Sequence, residues 1–424
     1  MHIGYFVEQQ YTGIDEDAIM NNGGFFGLPN EHFDPARGAE LYEKYLTEYL
    51  EAEAVGFDSM VLNEHHANPA CMSYCIAIEA AALAARSSKA KIVLLGCPLP
   101  ITKNPLRAAE ELGMVDMISG GRLVPGIIRG ASWEQVASNT NPALNRELFD
   151  EAHDFLVQAW TRKGPWRYEG EHFHYRFVNP WARPMSDKIN IWVPGVISPE
   201  TVVWAAEHRY PYVALATEIK GTAHMWKLYG DAAAKKGYQV GPENFGYFQK
   251  VVVADSYEEA YELGKGHIYG GSFTPTRFAS LPGYNSKTAV RNYATKFYAN
   301  VAVRINTEQD REQQRKGLLE HYDRMIETGH IILGTPEQVI PKLKFVLDAL
   351  RPGILTIWGP EGPAPHDQVV HMLRRMGEEV LPEIREYGES IGLTDPFQKF
   401  PGERPLPASG EWEPIVNEEV LASV

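Results

Sequence analysis

The chain has 424 residues, with 40 Lys and Arg against 55 Asp and Glu for a net charge of −15, and 44% of it is hydrophobic. That length holds two or three domains of roughly 100–200 residues, or one enlarged α/β barrel. The acidic balance, with no basic stripe, excludes a nucleic-acid partner, which needs many phosphates neutralised by Lys and Arg, and it disfavours an anionic membrane surface.

The three cysteines, Cys71, Cys75 and Cys97, crowd one region. An odd, clustered set suits a reducing compartment better than a disulfide framework. The apolar run Ile3–Val7 turns acidic at once, unlike a secretory leader, and no window reaches the roughly 18 uncharged apolar residues of a membrane span. A cytoplasmic protein is expected.

Taken in chain order, His2–Val7 reads as a buried strand, and Leu41–Ala54 as a helix with Leu41, Tyr45, Leu46, Tyr49 and Leu50 on one face before Gly56 stops it. Phe57–Leu62 is a second strand, Ala77–Arg86 a helix, Lys91–Leu99 a third strand, and Asn104-Pro105 opens a helix that ends at Gly120-Gly121. Leu123–Ile128 follows as strand four, then a helix from Asn141-Pro142 to about Arg162, then Ile189–Val193 and a helix opened by Ser198-Pro199-Glu200-Thr201. Tyr212–Leu215, Phe245–Val253 and Gly353–Trp358 bring the strands to eight, between helices near 222–236, 256–266, 335–350 and 366–388.

Eight strands alternating with helices predict a (β/α)8 TIM barrel spanning residues 1–390 as one domain. Residues 8–38 after strand one and 267–325 after strand seven exceed the minimal repeat and are expected as lids at the mouth; the Pro-containing tail 391–424 is expected to wrap the surface or a partner subunit.

Asn63-Glu64-His65-His66 stands directly at the C-terminal end of strand two, where polar groups face a barrel's active-site mouth. These histidines are either proton-handling groups or hydrogen-bonded loop residues. A metal site drawing on Glu64, His65, His66, His172 and His174 is the less favoured alternative, since adjacent histidines rarely reach one metal. After strand five, Ser198 is an N-cap candidate and Pro199 fits the first helical position, so the turn Gly195-Val196-Ile197-Ser198 is either a phosphate cradle or an ordinary capped helix. Arg129, flanked by Gly130 at the end of strand four, is the second phosphate contact that would decide for the cradle; its alternative is an ion pair. Gly96, Cys97 and Pro98 interrupt strand three, which points to a bulge or a close ligand approach, with Cys97 a small core residue.

In order, Gly56–His66, Asn104–Glu110, Gly120–Leu123, Gly126–Gly130, Val193–Glu207 and Gly334–Gln338 resemble the bacterial luciferase-like family of flavin-dependent monooxygenases. The resemblance implies a barrel that binds reduced FMN, or in some branches a deazaflavin, and that reacts it with O2 through a C4a-(hydro)peroxyflavin to oxygenate a small organic substrate. It places His65 near the flavin's reactive edge with His66 and Glu64 as its orienters, and Arg129, Ser198 and Thr201 at the flavin phosphate. Gly195 and Ile197 complete that turn, Ile197 standing where the luciferase subunit carries a glutamate. Leu95-Gly96 falls where the family carries a non-prolyl cis peptide beneath the ring. The chain lacks a Gly-x-Gly-x-x-Gly nicotinamide fingerprint after strand one, so a separate flavin reductase is expected, and the family implies a homodimer or higher oligomer. Phe25, Phe26, Trp192, Tyr247, Phe248 and Trp358 are candidates to wall the substrate pocket.

Overall fold

The computed structural model describes residues 1–422 apart from 23, 26–27, 131, 187, 197 and 270–307. Its strands are β1 (His2–Phe6), β2 (Ser59–Leu62), β3 (Lys91–Leu94), β4 (Cys97–Pro98), β5 (Leu123–Val124), β6 (Ile127–Ile128), β7 (Trp166–Glu169), β8 (His174–Val178), β9 (Val193–Gly195), β10 (Tyr212–Ala214), β11 (Phe245–Val253), β12 (Ile331–Gly334) and β13 (Ile354–Trp358). Eight of them form one curled parallel sheet in the order β5-β3-β2-β1-β13-β11-β10-β9. Its two ends meet through a parallel bridge between Gly126 and Trp192, where Trp192 N–H donates to the Pro125 carbonyl at 3.0 Å and Ile127 N–H donates to that of Trp192 at 3.2 Å.

Alternation explains the closure. Phe6, Val61, Val93, Leu95, Val124, Trp192, Val213, Phe248 and Ile354 point inward and form one buried cluster, capped by Leu215 and Trp358. The opposite faces of the strands pack on the helices in a second, larger core. Predicted strand four breaks at Pro125-Gly126 because the chain there crosses strand three closely: a Cβ on Gly126 would collide with the Leu94 carbonyl. Pairing then resumes one step along as β4 with β6.

Several elements depart from expectation. β12 lies just past the predicted second insertion, 267–325, and pairs with β11 from Lys250 to Val253; a four-residue apolar run carries too little periodicity to be read from sequence. The helix before it, Glu308–Glu327, begins within that insertion. In the first insertion, Glu16–Asn22 is helical, and the following helix begins at Pro35, where Asp34 accepts from Ala36 N–H at 2.9 Å. The helix predicted from Asn141 opens as a 3-10 turn at Pro142–Leu144 and becomes α-helical over Asn145–Thr161. The tail wraps its own barrel: Arg404 donates to Glu243 at 2.5 Å, Trp412 Nε1 donates to Asp231 at 2.8 Å, and Tyr238 bridges Pro405. Among the described residues no helix is long and apolar enough to cross a membrane.

Candidate functional site

The inward faces of the strands continue upward into the barrel mouth. Two residues past Phe6 stands Glu8, two past Val61 stands Asn63, and two past Phe248 stands Lys250, so the layer above the apolar cluster is polar. Asn63 Nδ2 donates to Glu8 Oε1 at 2.6 Å. His65 follows β2 and is held at both ring nitrogens: Nδ1 lies 2.7 Å from Glu134 Oε1, and Nε2 lies 3.4 Å from Glu8 Oε1. Burial alone would lower the His65 pKa, but the Glu134 hydrogen bond and the charges of Glu8, Glu134 and Glu64 outweigh it and lift it to about 9. Burial lifts Glu8 to about 8, against the pull of His65 and the Asn63 hydrogen bond. Both groups of this pair hold their protons more tightly than when free, which suits the pair to donate one.

Glu134 reaches His65 from a short helix, Ser132–Ala137, that starts three residues after Arg129. Gly130 makes that reversal with φ of +71°, and a Cβ there would stand 3.1 Å from Pro98 and 3.2 Å from Glu134 Oε2. One loop thus sends Glu134 toward His65 and Arg129 the other way.

Arg129 Nη2 donates to Ser198 Oγ and to Thr201 Oγ1, both at 3.1 Å, and Thr201 Oγ1 donates to Ser198 Oγ at 3.1 Å. The three residues come from the ends of β6 and β9. Ser198 occupies the N-cap position of helix Pro199–Glu207, yet its hydroxyl makes no capping bond and donates instead to Glu200 Oε2 at 3.2 Å. The expected side-chain cap is thus absent because Arg129 and Thr201 claim the oxygen. Burial, and next the nearby Arg146 guanidinium, lower the Arg129 pKa to about 10, leaving it fully cationic at neutral pH. Arg146 Nη1 lies 3.9 Å from Asp150, while Arg146 Nη2 is buried without a hydrogen-bond partner. Two guanidiniums, two hydroxyls and one orphaned buried donor gather at the foot of a helix, a donor set whose chemistry suits an anion.

Among the predicted residues, then, Arg129, Ser198 and Thr201 converge, and His65 faces the mouth. Glu64 and His66 bind each other at 2.9 Å, and Glu64 Oε2 also accepts from Ile76 N–H at 2.9 Å, capping helix Ile76–Arg86. They orient one another rather than His65, whose direct partners are Glu134 and Glu8. The Leu95–Gly96 peptide is cis. Gly96 and Gly195 are both needed for packing, since a Cβ would stand 2.9 Å from Ile128 Cγ2 in the first case and 2.8 Å from the Tyr212 hydroxyl in the second. Ile197 and Phe26 lie outside the described residues. Phe248 and Trp192 belong to the barrel interior, Phe25 packs with Ile19 and Ala70, and Tyr247 faces outward to donate to the Thr217 carbonyl at 2.7 Å. The metal set drawn from Glu64, His65, His66, His172 and His174 does not converge; among the described residues only His153, Asp154 and His208 gather three such ligand atoms.

Sequence reasoning missed Glu8, Glu134 and Arg146. Glu8 had a signal, a carboxylate two places beyond an inward-facing Phe6. So did Arg146, a cation in the first turn of a helix, where the dipole disfavours it unless an anion is near. Glu134 had none, because its partner is 69 residues away.

The sequence model of the luciferase-like monooxygenases matches residues 27–349. The alkanal monooxygenase alpha chain of Photobacterium leiognathi is 22% identical over 352 residues, which is 82% of this chain and 94% of its own. A monooxygenase of Streptomyces bottropensis superposes with a TM-score of 0.66 at 19% identity, covering 91% of this chain and all (100%) of that one. The oxygenating constituent of 3,6-diketocamphane monooxygenase from Pseudomonas putida, a type II Baeyer–Villiger enzyme solved with FMN, gives 0.63 at 17% identity over 90% of this chain and 98% of its own. With the matched region covering most of its length, the chain belongs to the luciferase-like monooxygenase family.

Proposed function

We propose that this chain is a flavin-dependent monooxygenase that takes reduced FMN from a separate reductase and uses O2 to oxygenate a small organic substrate. The observation that carries the reading is the convergence of Arg129, Ser198 and Thr201 beside the orphaned Nη2 of Arg146. This donor set fits a phosphate monoester, with two cations for its charge and hydroxyls for its oxygens. Arg129, Arg146, Ser198 and Thr201 would hold the FMN phosphate, and the oxygen of Ser198 that faces Glu200 marks where a phosphate oxygen competes with that carboxylate.

When bound, reduced flavin supplies the two electrons that let one atom of O2 enter the substrate while the other leaves as water. The chain's own contribution is proton placement and exclusion of water. His65 presents a proton at Nε2, held in place by Glu134 at Nδ1. Glu8 is protonated beside it and reloads that nitrogen after a donation. The apolar layer of Phe6, Phe248 and Trp192 closes the barrel beneath and keeps bulk water from the reacting groups.

Anaerobic titration with reduced FMN, followed by oxygen and a panel of candidate substrates, tests the reading. Stoichiometric FMN binding with substrate-dependent product supports it. Preference for a reduced deazaflavin with no oxygen uptake would instead make the chain a deazaflavin-dependent oxidoreductase of the same family, and flavin binding without product would leave a carrier.

A further inference from the structure

Lys250 is the inward-facing charge that the flavin reading does not use. It lies on β11 two residues beyond Phe248, and its register partner is Trp358 of β13. Lys250 Nζ sits 4.4 Å from the centre of the Trp358 ring. Among the described residues it donates no hydrogen bond and makes no ion pair, and the side chain is half-buried, so the mouth still reaches it. The nearby carboxylates have partners of their own, although one oxygen of Glu361, Oε2, is buried without a hydrogen bond. Glu361 accepts from Trp358 Nε1 and stands 3.7 Å from His267 Nδ1, and Glu8 is held by Asn63 and His65.

Position sharpens this. Along the sheet, β1 is four strands from β9 in one direction, and β11 and β13 lie between them. The polar floor at β11, β13 and β1 therefore lies two to four strands round the mouth from the phosphate cradle at β6 and β9, with His65 bordering the floor. A ligand whose phosphate fills the cradle leaves the floor for a second molecule. A half-buried ammonium without a hydrogen-bond acceptor is costly, and an aromatic face offsets only part of that cost. Burial lowers its pKa from the ordinary lysine value, and the charges of Glu361 and Glu8 oppose that shift.

We propose that Lys250 is the substrate-binding cation of this barrel, donating to an oxygen acceptor of the substrate, a ketone, aldehyde or carboxylate oxygen, above the face of Trp358. Trp358 in turn is fixed by Glu361, which makes Glu361 a positioning residue. The proposal rests on the flavin reading for what happens to the substrate, but not for where it binds.

The full-length protein, first titrated with FMN, is then titrated with cyclohexanone, cyclohexanecarboxylate and cyclohexylamine. The wild-type protein is expected to bind the ketone, the carboxylate or both, and not the amine. Lys250→Met should weaken that binding about tenfold or more, Lys250→Arg should retain most of it, and FMN affinity should be the same in all three proteins. Binding of the ketone alone assigns a neutral carbonyl, and of the carboxylate alone an acid. No acceptor bound by the wild-type protein, preference for the amine, or unchanged binding by Lys250→Met overturns the proposal. Failure to take up FMN contradicts the flavin reading separately, and the same probes then test Lys250 on the flavin-free protein.

Discussion

The two halves of the barrel mouth handle charge in opposite ways. At β6 and β9 the Arg129 and Arg146 guanidiniums gather beside two hydroxyls, with the carboxylates of Asp150 and Glu200 at their edge, so hydrogen-bond donors converge there for an anion. At β1 and β2, Glu8, His65 and Glu134 crowd carboxylates around one imidazole: burial raises the proton affinity of Glu8, and the carboxylates raise that of His65 against the pull of burial. One half is a fixed electrostatic clamp and the other a proton store. A single loop, from Arg129 to Glu134, serves both, which ties cofactor grip and proton donor to one backbone turn.

Breaking the proton store should have the largest effect. His65→Ala is expected to lower product formation by about 10²–10⁴-fold, the range of a lost general acid, while FMN binding stays near wild type; the check is product per O2 consumed, and unchanged turnover would remove His65 from the mechanism. Breaking the clamp comes next. Arg129→Ala should weaken FMN by about 1–3 kcal/mol, roughly 10- to 100-fold, through lost charged hydrogen bonds, as read by equilibrium titration.

The pH response sharpens the comparison further. Both raised groups bind their proton more tightly in the folded chain than at their ordinary values of 4.5 and 6.5, so the stabilisation each gives is complete below those values and is lost as pH rises through about 8 for Glu8 and about 9 for His65. Turnover should accordingly fall on the alkaline side across that window, with apparent values belonging to the pair. Glu134→Gln removes the hydrogen-bonded charge at Nδ1 and should move this limb down by about one unit; a limb that does not move would show that Glu134 does not hold the His65 proton. The smallest effect is of opposite sign. Glu200→Gln removes the carboxylate that competes for Ser198 and should tighten FMN by a few-fold, about 1 kcal/mol or less, at low salt.

Much of this was legible in the sequence, and the reasons are local. Each long strand carries its own alternation, so the eightfold strand–helix rhythm was readable. His65, Arg129 and Ser198 stand immediately after strands, where position alone marks them. What escaped was non-local or short. β12 has four residues, the Pro125-Gly126 break depends on a collision with Leu94, and the partner of His65 was misassigned to its sequence neighbours because contiguity cannot reveal a contact 69 residues away. Glu64 looked like an orienter and is a helix cap, a role fixed by Ile76 N–H, 12 residues on. Gly96 was read as a bulge or a close ligand approach, and a Cβ there would press on a side chain of the barrel itself, Ile128.

The central claim is that the Arg129 side of the mouth recognises the phosphate of a reduced flavin. Its most direct measurement is the ratio of affinities for reduced FMN and reduced riboflavin, which differ only in that phosphate, in the wild-type chain and in Arg129→Ala. The ratio should be about 10- to 100-fold in the wild type and collapse toward one in the variant. Equal affinity for the two flavins in the wild-type protein, or a ratio that survives the loss of Arg129, would contradict it.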